Sequence, residues 1–130
     1  MRDNLGTKEV VITEDVLRCY LSAIESQHSW YLEGSPFGRP IVPSTIFDEE
    51  VLRMLDSVYE RFGSIHAKQE YEFKSPAFVG ERLRVKTRIT DKYIERGRGW
   101  MVLDMEVIGE DGREICYDKH FSVVSLEERY

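Results

Sequence analysis

Residues 43–62 read PSTIFDEEVLRMLDSVYERF, and the rest of the chain is organised around them. Phe47, Val51, Leu55, Val58 and Phe62 recur at steps of four, four, three and four, the apolar stripe of an α-helix. Ile46, Leu52, Met54 and Tyr59 widen the stripe, so the predicted helix is largely buried. Pro43 suits the first turn or the position before it. Ser44 or Thr45 is the expected cap, and the triplet Asp48-Glu49-Glu50 suits the positive end of the helix dipole. Gly63 is the expected stop. The reading is one long central helix wrapped by a sheet.

Beyond this stretch the hydrophobic period falls from 3.6 to 2. In IHAKQEYEFK, residues 65–74, Ile65, Ala67, Tyr71 and Phe73 share one face, with His66, Lys68, Glu70, Glu72 and Lys74 on the other. RLRVKTRIT alternates again, with Leu83, Val85, Thr87 and Ile89 expected inside. Glu95–Gly99 is expected as a loop. WMVLDMEVIG follows, with Met101, Leu103, Met105 and Val107 on one face. Asp111-Gly112 marks a hairpin tip, and EICYDKHFSVVSL closes the set. Hairpin-linked strands behind one helix make an α+β fold with an antiparallel sheet. On the other side of the helix, Val10–Ile12 end an extended segment. Thr13 is the expected cap of a helix TEDVLRCYLSAIES with an apolar face of Val16, Leu17, Tyr20, Leu21 and Ala23 or Ile24. Residues 27–42, QHSWYLEGSPFGRPIV, hold two glycines, two prolines and three large aromatic side chains, and read as a packed irregular segment.

The totals bound the function. At 130 residues the chain is expected to form one domain, residues 1–130. A net charge of −6 without a long basic run argues against a general nucleic-acid binder. No apolar run approaches the ~20 residues of a membrane span, and the N-terminus lacks the apolar core of a signal peptide. Cys19 and Cys116 match no metal spacing. A cytoplasmic protein with two thiols, no metal and no cofactor is expected.

Two stretches then carry a resemblance. PFGRPIVPSTI, residues 36–46, is similar to the Phe-Gly-x-Pro-Ile run that leads into the central helix of MaoC-like hydratases and dehydratases. Residues 65–124 are similar to that family's strand–Pro–x–x–x–Gly–strand block and its following hairpins, with Pro76 and Gly80 at the matching places. SQHSWYLEG, residues 26–34, looks most like the N-terminal, FAS1-like dehydratase branch, and so resembles the dyad-lacking subunit of mycobacterial 3-hydroxyacyl-carrier-protein dehydratases. The resemblance implies a single hot dog domain, a long helix wrapped by a curled antiparallel sheet. It also implies acyl thioesters of coenzyme A or acyl carrier protein as ligands, and pairing with a second hot dog chain as a homodimer or heterodimer.

The family's R-specific hydratases resemble one another in an Asp-x-Asn-Pro-x-His motif whose carboxylate and imidazole activate one water. Aligned on Phe37-Gly38-x-Pro40-Ile41, the Asp position falls on Ser26 and the His position on Tyr31. Serine carries no usable charge, and a phenol titrating near ~10 is a poor base at neutral pH. The scaffold is therefore expected without the dyad, and no residue of this chain is assigned as catalytic. The expected substrate-binding residues are Trp30, Tyr31, Ile41, Val42, Ser44 and Thr45. Ser44 and Thr45 would offer backbone amides to the thioester oxygen, and the aromatic residues either line an acyl tunnel or plug the segment against the helix.

Other groups were weighed against a bland reading. His28 is a lone base or a loop histidine. His66 lies on the predicted polar strand face. His120 shares a face with Cys116, Asp118 and Ser122, a nucleophilic pair if the face is enclosed and a solvated or interface face otherwise. Arg82, Arg84, Lys86, Arg88, Arg96 and Arg98 either meet ligand phosphates or form a solvated face. The leading function is a subunit of a (3R)-hydroxyacyl-thioester dehydratase or enoyl-thioester hydratase whose Asp and His come from a partner chain. The alternatives are a homodimeric hydratase with a non-standard base, an acyl-CoA thioesterase using a carboxylate such as Asp48 or Glu49, and a non-catalytic acyl-thioester-binding module.

Overall fold

The computed structural model describes residues 4–61, 64–124 and 126–128. Five strands form one antiparallel sheet: β1 (Asn4–Val11), β4 (Ile65–Phe73), β6 (Arg82–Glu95), β7 (Arg98–Ile108) and β8 (Glu114–Val123), in the order β1-β6-β7-β8-β4. The sheet is open, with β1 and β4 at its edges. Two-stranded pairings join β2 (Ile41–Val42) to β5 (Ala77–Phe78), and β3 (Tyr59–Arg61) to β9 (Leu126–Glu128). The helices are α1 (Glu14–Ala23), the single turn α2 (Ser29–Leu32) and α3 (Asp48–Asp56), which continues a 3₁₀ turn over Ser44–Phe47.

The central helix is α3, shorter than the sequence predicts. Phe47, Val51, Leu55 and Val58 of the stripe are all buried, but the α-helical part is nine residues and ends at Asp56. The Ser57 hydroxyl donates to the Met54 carbonyl at 2.6 Å, and the chain then turns into β3, which takes its hydrogen bonds from β9. Pairing with a remote strand thus overrides a helical spacing that Val58 and the following positions share with β-structure. Phe62 and Gly63 lie outside the described residues. Neither Ser44 nor Thr45 caps. Pro43 precedes the 3₁₀ turn without a side-chain cap, and the Thr45 hydroxyl is engaged by Tyr20 at 2.7 Å. Thr13 does cap α1, accepting from the Val16 amide at 3.3 Å. Of the face predicted on α1 only Leu17 and Leu21 are buried. Val16 and Ile24 stand exposed.

The strands alternate as their sequences require. Leu83, Val85, Thr87 and Ile89 of β6 and Met101, Leu103, Met105 and Val107 of β7 are buried beneath Phe47, Val51, Met54 and Leu55. The predicted Glu95–Gly99 loop is a two-residue hairpin connection, with Arg96 at φ 52° and Gly97 at φ 74°, the pair of positive values that matches strand twist.

Two corrections concern the other half of the sheet. A bulge at Ala67, between the His66–Ser122 and Lys68–Phe121 pairs, reverses strand parity. Ile65 and Ala67, expected on the inner face, are therefore exposed, and His66 shares the face of His120, stacking on it at 4.0 Å while its own side chain stays exposed. The second correction is the Cys116–Asp118–His120–Ser122 face of β8, which is buried and not solvated. Tyr117, Phe121 and Val123, on the opposite face, are only partly covered.

The turn after β4 is pinned by a buried acid. The Glu81 carboxylate accepts from the amides of Phe78 and Glu110 and from the Arg113 guanidinium at 2.9–3.1 Å. Arg113 also donates to the Pro76 carbonyl at 3.0 Å. This latch holds β5 in place, and β5 in turn holds β2.

Candidate functional site

A cleft of about 420 Å³ opens between the segment before α3 and the end of β4. Tyr31 of α2, Phe37, Ile41 and Val42 of β2, and Pro43, Ser44 and Thr45 form one wall. Phe73, Lys74, Ser75 and Pro76 form the other. The irregular segment reaches this shape through local bonds. His28 Nδ1 accepts from the Trp30 amide at 3.2 Å and starts α2. The Ser35 hydroxyl donates to the Arg39 carbonyl at 2.6 Å, closing a turn in which Gly38 takes φ 92°.

Of the expected binding residues, Tyr31, Ile41, Val42, Ser44 and Thr45 are brought together on this cleft. Trp30 is not among its lining residues. It is 41% exposed and meets His28 edge-on at 5.5 Å. Ser26 opens on a different hollow, bounded by Arg18, Leu21 and Leu32, while Tyr31 lines the cleft. His28 is exposed, and its ring serves the α2 cap. Among the described residues that line the cleft, Lys74 is the one charged side chain. A second hollow of about 370 Å³ near the β6–β7 hairpin, lined by Tyr93, Ile94, Trp100 and Met101, has Lys92 as its one titratable group besides the tyrosine, and offers no acid–base pair.

Behind the cleft lies a polar layer that sequence reasoning did not assemble. Asp48, the first residue of α3, accepts on Oδ1 from the Tyr71 hydroxyl and from Gln69 Nε2, the latter at 3.0 Å. The same Gln69 nitrogen donates to Asp118 Oδ2 at 2.8 Å, so one amide bridges two carboxylates. Asp118 is fully buried, and its Oδ1 has no hydrogen-bond partner. Tyr71 stacks on Phe73 of the cleft wall at 5.2 Å. Ser44, also on the wall, faces the Cys116 thiol.

Burial sets the electrostatics of this layer. It raises the Asp48 carboxyl above its ordinary range, against the hydrogen bonds from Tyr71 and Gln69 and the charge of His66. It pushes Asp118 up to about 7. The charges of Asp48 and Asp104 add to that rise, and the Gln69 bond opposes it. Burial also pushes the Cys116 thiol up to about 12, with the two aspartates adding to the effect. That rise disfavours the thiolate that a nucleophilic Cys116–His120 pair would need. The signal available in the sequence was the run Cys116, Asp118, His120, Ser122 at every second position, where β6 and β7 carry aliphatic and thioether side chains. Among the described residues no group of His, Cys, Asp and Glu side chains is arranged to hold a metal ion. No helix among them is long and apolar enough to cross a membrane.

The cleft at the start of the central helix and the open five-stranded sheet can now be set beside known proteins. The family described as "FAS1-like, dehydratase domain region" matches residues 3–117. The chain belongs to this FAS1-like dehydratase family. No curated protein sequence matches it significantly. Among solved structures, this FAS1-like dehydratase-region chain is similar to the (R)-hydratase from A. caviae involved in PHA biosynthesis, with a TM-score of 0.74 at 17% identity over 92% of this chain and 93% of that one. R-hydratase PhaJ1 from Pseudomonas aeruginosa gives a TM-score of 0.77 at 13% identity, over 100% and 86%. The HadBC (3R-hydroxyacyl-ACP dehydratase) complex from Mycobacterium tuberculosis gives 0.73 at 15% identity, over 96% and 95%. These likenesses establish the hot dog fold of MaoC-like hydratases and dehydratases for the FAS1-like chain.

Proposed function

We propose that this chain binds an acyl thioester of coenzyme A or an acyl carrier protein. It would serve as the dyad-poor subunit of a (3R)-hydroxyacyl-thioester dehydratase or enoyl-thioester hydratase, most simply in the cytoplasm. The observation that carries this reading is the cleft itself. Among the described residues its lining is mostly apolar, of a size for an acyl chain, with one lysine and no carboxylate or imidazole. The cleft also lies at the end of β4, an edge strand whose Ile65 and Phe73 are more than half exposed. An unpaired edge with apolar side chains is a surface for another strand. A second hot dog chain seated along β4 would cover that side and bring the Asp and His that Ser26 and Tyr31 replace. That HadBC is itself a complex of hot dog chains supports the arrangement. Chemically, the partner's base would take a proton from water as its oxygen bonds to C3 of the enoyl thioester, with C2 protonated in return.

The test is crotonyl-CoA with the purified chain, scored by binding and by loss of the conjugated-thioester absorbance without thiol release. Binding without hydration, and hydration once a dyad-bearing partner is added, is the expected result. Hydration by the isolated chain would remove the need for a partner. Absence of binding would remove the thioester reading altogether.

A further inference from the structure

The turn that opens the cleft wall holds two side chains that an acyl group does not explain. Three bonds fix the turn. The Ser35 hydroxyl donates to the Arg39 carbonyl at 2.6 Å and accepts from the Phe37 amide at 3.2 Å, and the Ser35 carbonyl accepts from the Gly38 amide at 3.0 Å. Phe37 lines the cleft, yet its side chain is left 55% exposed. Arg39, two residues on, stands over the Phe78 ring of β5 with its guanidinium carbon 4.0 Å from the ring centre. That ring is itself anchored: the Phe78 amide donates to the buried Glu81 carboxylate, and Arg113 of the latch lies 5.4 Å from the ring centre. A cation resting on an aromatic ring is oriented by it and keeps its N–H donors for other partners. Among the described residues the Arg39 guanidinium makes no ion pair and donates no hydrogen bond. Its neighbours are compensated. Lys74 pairs with Glu114 at 2.8 Å, and Arg113 with Glu81 and Asp111. The basic stripe of β6 is exposed on the sheet face turned away from α3, where Lys86 stands in register with Glu106 and Arg88 with Asp104.

We propose that the Ser35–Arg39 turn binds the nucleotide end of coenzyme A, with the Arg39 N–H groups donating to a phosphate and the Phe37 ring stacking on adenine. The inference rests on the acyl-thioester cleft proposed above and names the carrier that the cleft takes. Coenzyme A and acyl carrier protein end in the same pantetheine arm, and only coenzyme A continues from it into an adenosine carrying further phosphate. A planar guanidinium with free donors suits a phosphate, and an exposed aromatic face held by a closed turn suits a base. From Arg39 to Ser44 the chain advances five residues, at most about 16–18 Å, a distance that an extended pantetheine arm covers from a thioester at Ser44. An acidic carrier protein instead docks by its surface and is drawn by a field of positive charge. Here one uncompensated cation stands near three exposed acids, Glu33 before the turn and Glu72 and Glu114 beside Lys74, on a chain of net charge −6.

Butyryl-pantetheine and butyryl-CoA separate the rim from the cleft, because they share the acyl group, the thioester and the arm and differ in the nucleotide. Their dissociation constants are to be measured by calorimetry on the purified chain and its variants, with folding checked by circular dichroism. The wild-type chain should hold butyryl-CoA about 10-fold or more tighter than butyryl-pantetheine, the effect of a charge-assisted hydrogen bond. Arg39→Ala should remove that advantage and leave butyryl-pantetheine binding unchanged, and Arg39→Lys should recover part of it, since the charge returns without the fork of donors. Arg84→Ala, on the β6 stripe, should alter neither ligand. Adenosine bisphosphate should compete with butyryl-CoA in the wild-type chain and not in Arg39→Ala. Equal affinity for the two thioesters, an advantage that survives Arg39→Ala, or tighter binding of a butyryl-carrier protein than of butyryl-CoA overturns the nucleotide rim and leaves the cleft standing. Binding of neither thioester overturns both.

Discussion

On β6 and β7 the side chains turned toward α3 are Leu83, Val85, Thr87, Ile89, Met101, Leu103, Met105 and Val107. On β8 and β4 they are Cys116, Asp118, His120, Ser122, Gln69 and Tyr71. The two halves belong to one sheet and lie under the same helix, yet only one of them is a hydrophobic core. The first half stabilises by removing apolar surface from water at roughly 25 cal/mol per Å². The second half contributes little of that kind, and it holds two carboxylates where burial opposes their charge. It also borders the cleft and the unpaired edge. Buried polarity concentrated on one side of an otherwise apolar fold is the kind of feature that accompanies functional sites in proteins.

The largest test of this contrast is in the apolar half. Leu103 is fully buried. Leu103→Ala should destabilise the protein by about 2–5 kcal/mol through lost transfer energy and the cavity left behind. Denaturant unfolding should give the same loss at pH 5 and pH 8, because no titrating group is touched. A pH-dependent loss would mean that the two halves are not separable.

Asp118 should behave in the opposite way. Its carboxyl titrates at about 7 in the fold against 3.8 as the ordinary value. The folded state therefore favours the neutral form. Stability from this group is fully present below about pH 4, declines between about pH 4 and pH 7, and stays low above. Asp118→Asn removes the charge and should raise stability by roughly 2–4 kcal/mol at about pH 8 with almost no change at pH 4. Urea midpoints at the two pH values decide it. A variant that is destabilised at pH 8 would show that the ionised carboxylate is a structural asset and not a burden.

How much of this was legible in the sequence follows the same divide. The β6 and β7 faces were read correctly residue by residue, because strict alternation of aliphatic and charged side chains leaves one solution. Phe47, Val51 and Leu55 likewise identified the central helix. What failed was non-local. The helix was overextended because the pairing of β3 with β9 is invisible to a local period. Ile65 and Ala67 were misplaced because one bulged residue reverses the strand faces before it. The Cys116–Asp118–His120–Ser122 face of β8 read as solvated or an interface because its side chains are polar, and it is buried. Gln69 could not be seen as a bridge until Asp48 and Asp118, distant in sequence, were brought to its amide. The cleft was more legible as a place, since five of its seven lining residues between Tyr31 and Thr45 were named from one contiguous stretch.

Gln69 sharpens the contrast at a smaller scale. Its two hydrogen bonds favour the charged forms of both aspartates. Gln69→Leu should therefore push both carboxyls further up and lower stability by about 1–2 kcal/mol at about pH 8. The loss should shrink as the acids protonate at low pH. Carboxyl carbon resonances followed against pH would report the shift directly, and an unmoved Asp118 would break the bridge assignment.

The smallest expected effect comes from the one misfit in the apolar half. Thr87 is fully buried opposite Met105, and its hydroxyl has no hydrogen-bond partner. Valine keeps the branched shape that suits a strand and removes the oxygen. Burying a hydroxyl without a partner is unfavourable by about 1–3 kcal/mol in proteins, and part of that is regained by an apolar replacement of equal volume. Thr87→Val should then stabilise by about 1 kcal/mol, equally at pH 5 and pH 8, and leave acyl-thioester binding unchanged. If the variant is instead destabilised, or if its effect depends on pH, the hydroxyl has a working contact with the polar half. The boundary between the two surfaces would then run through β6 and not between β7 and β8.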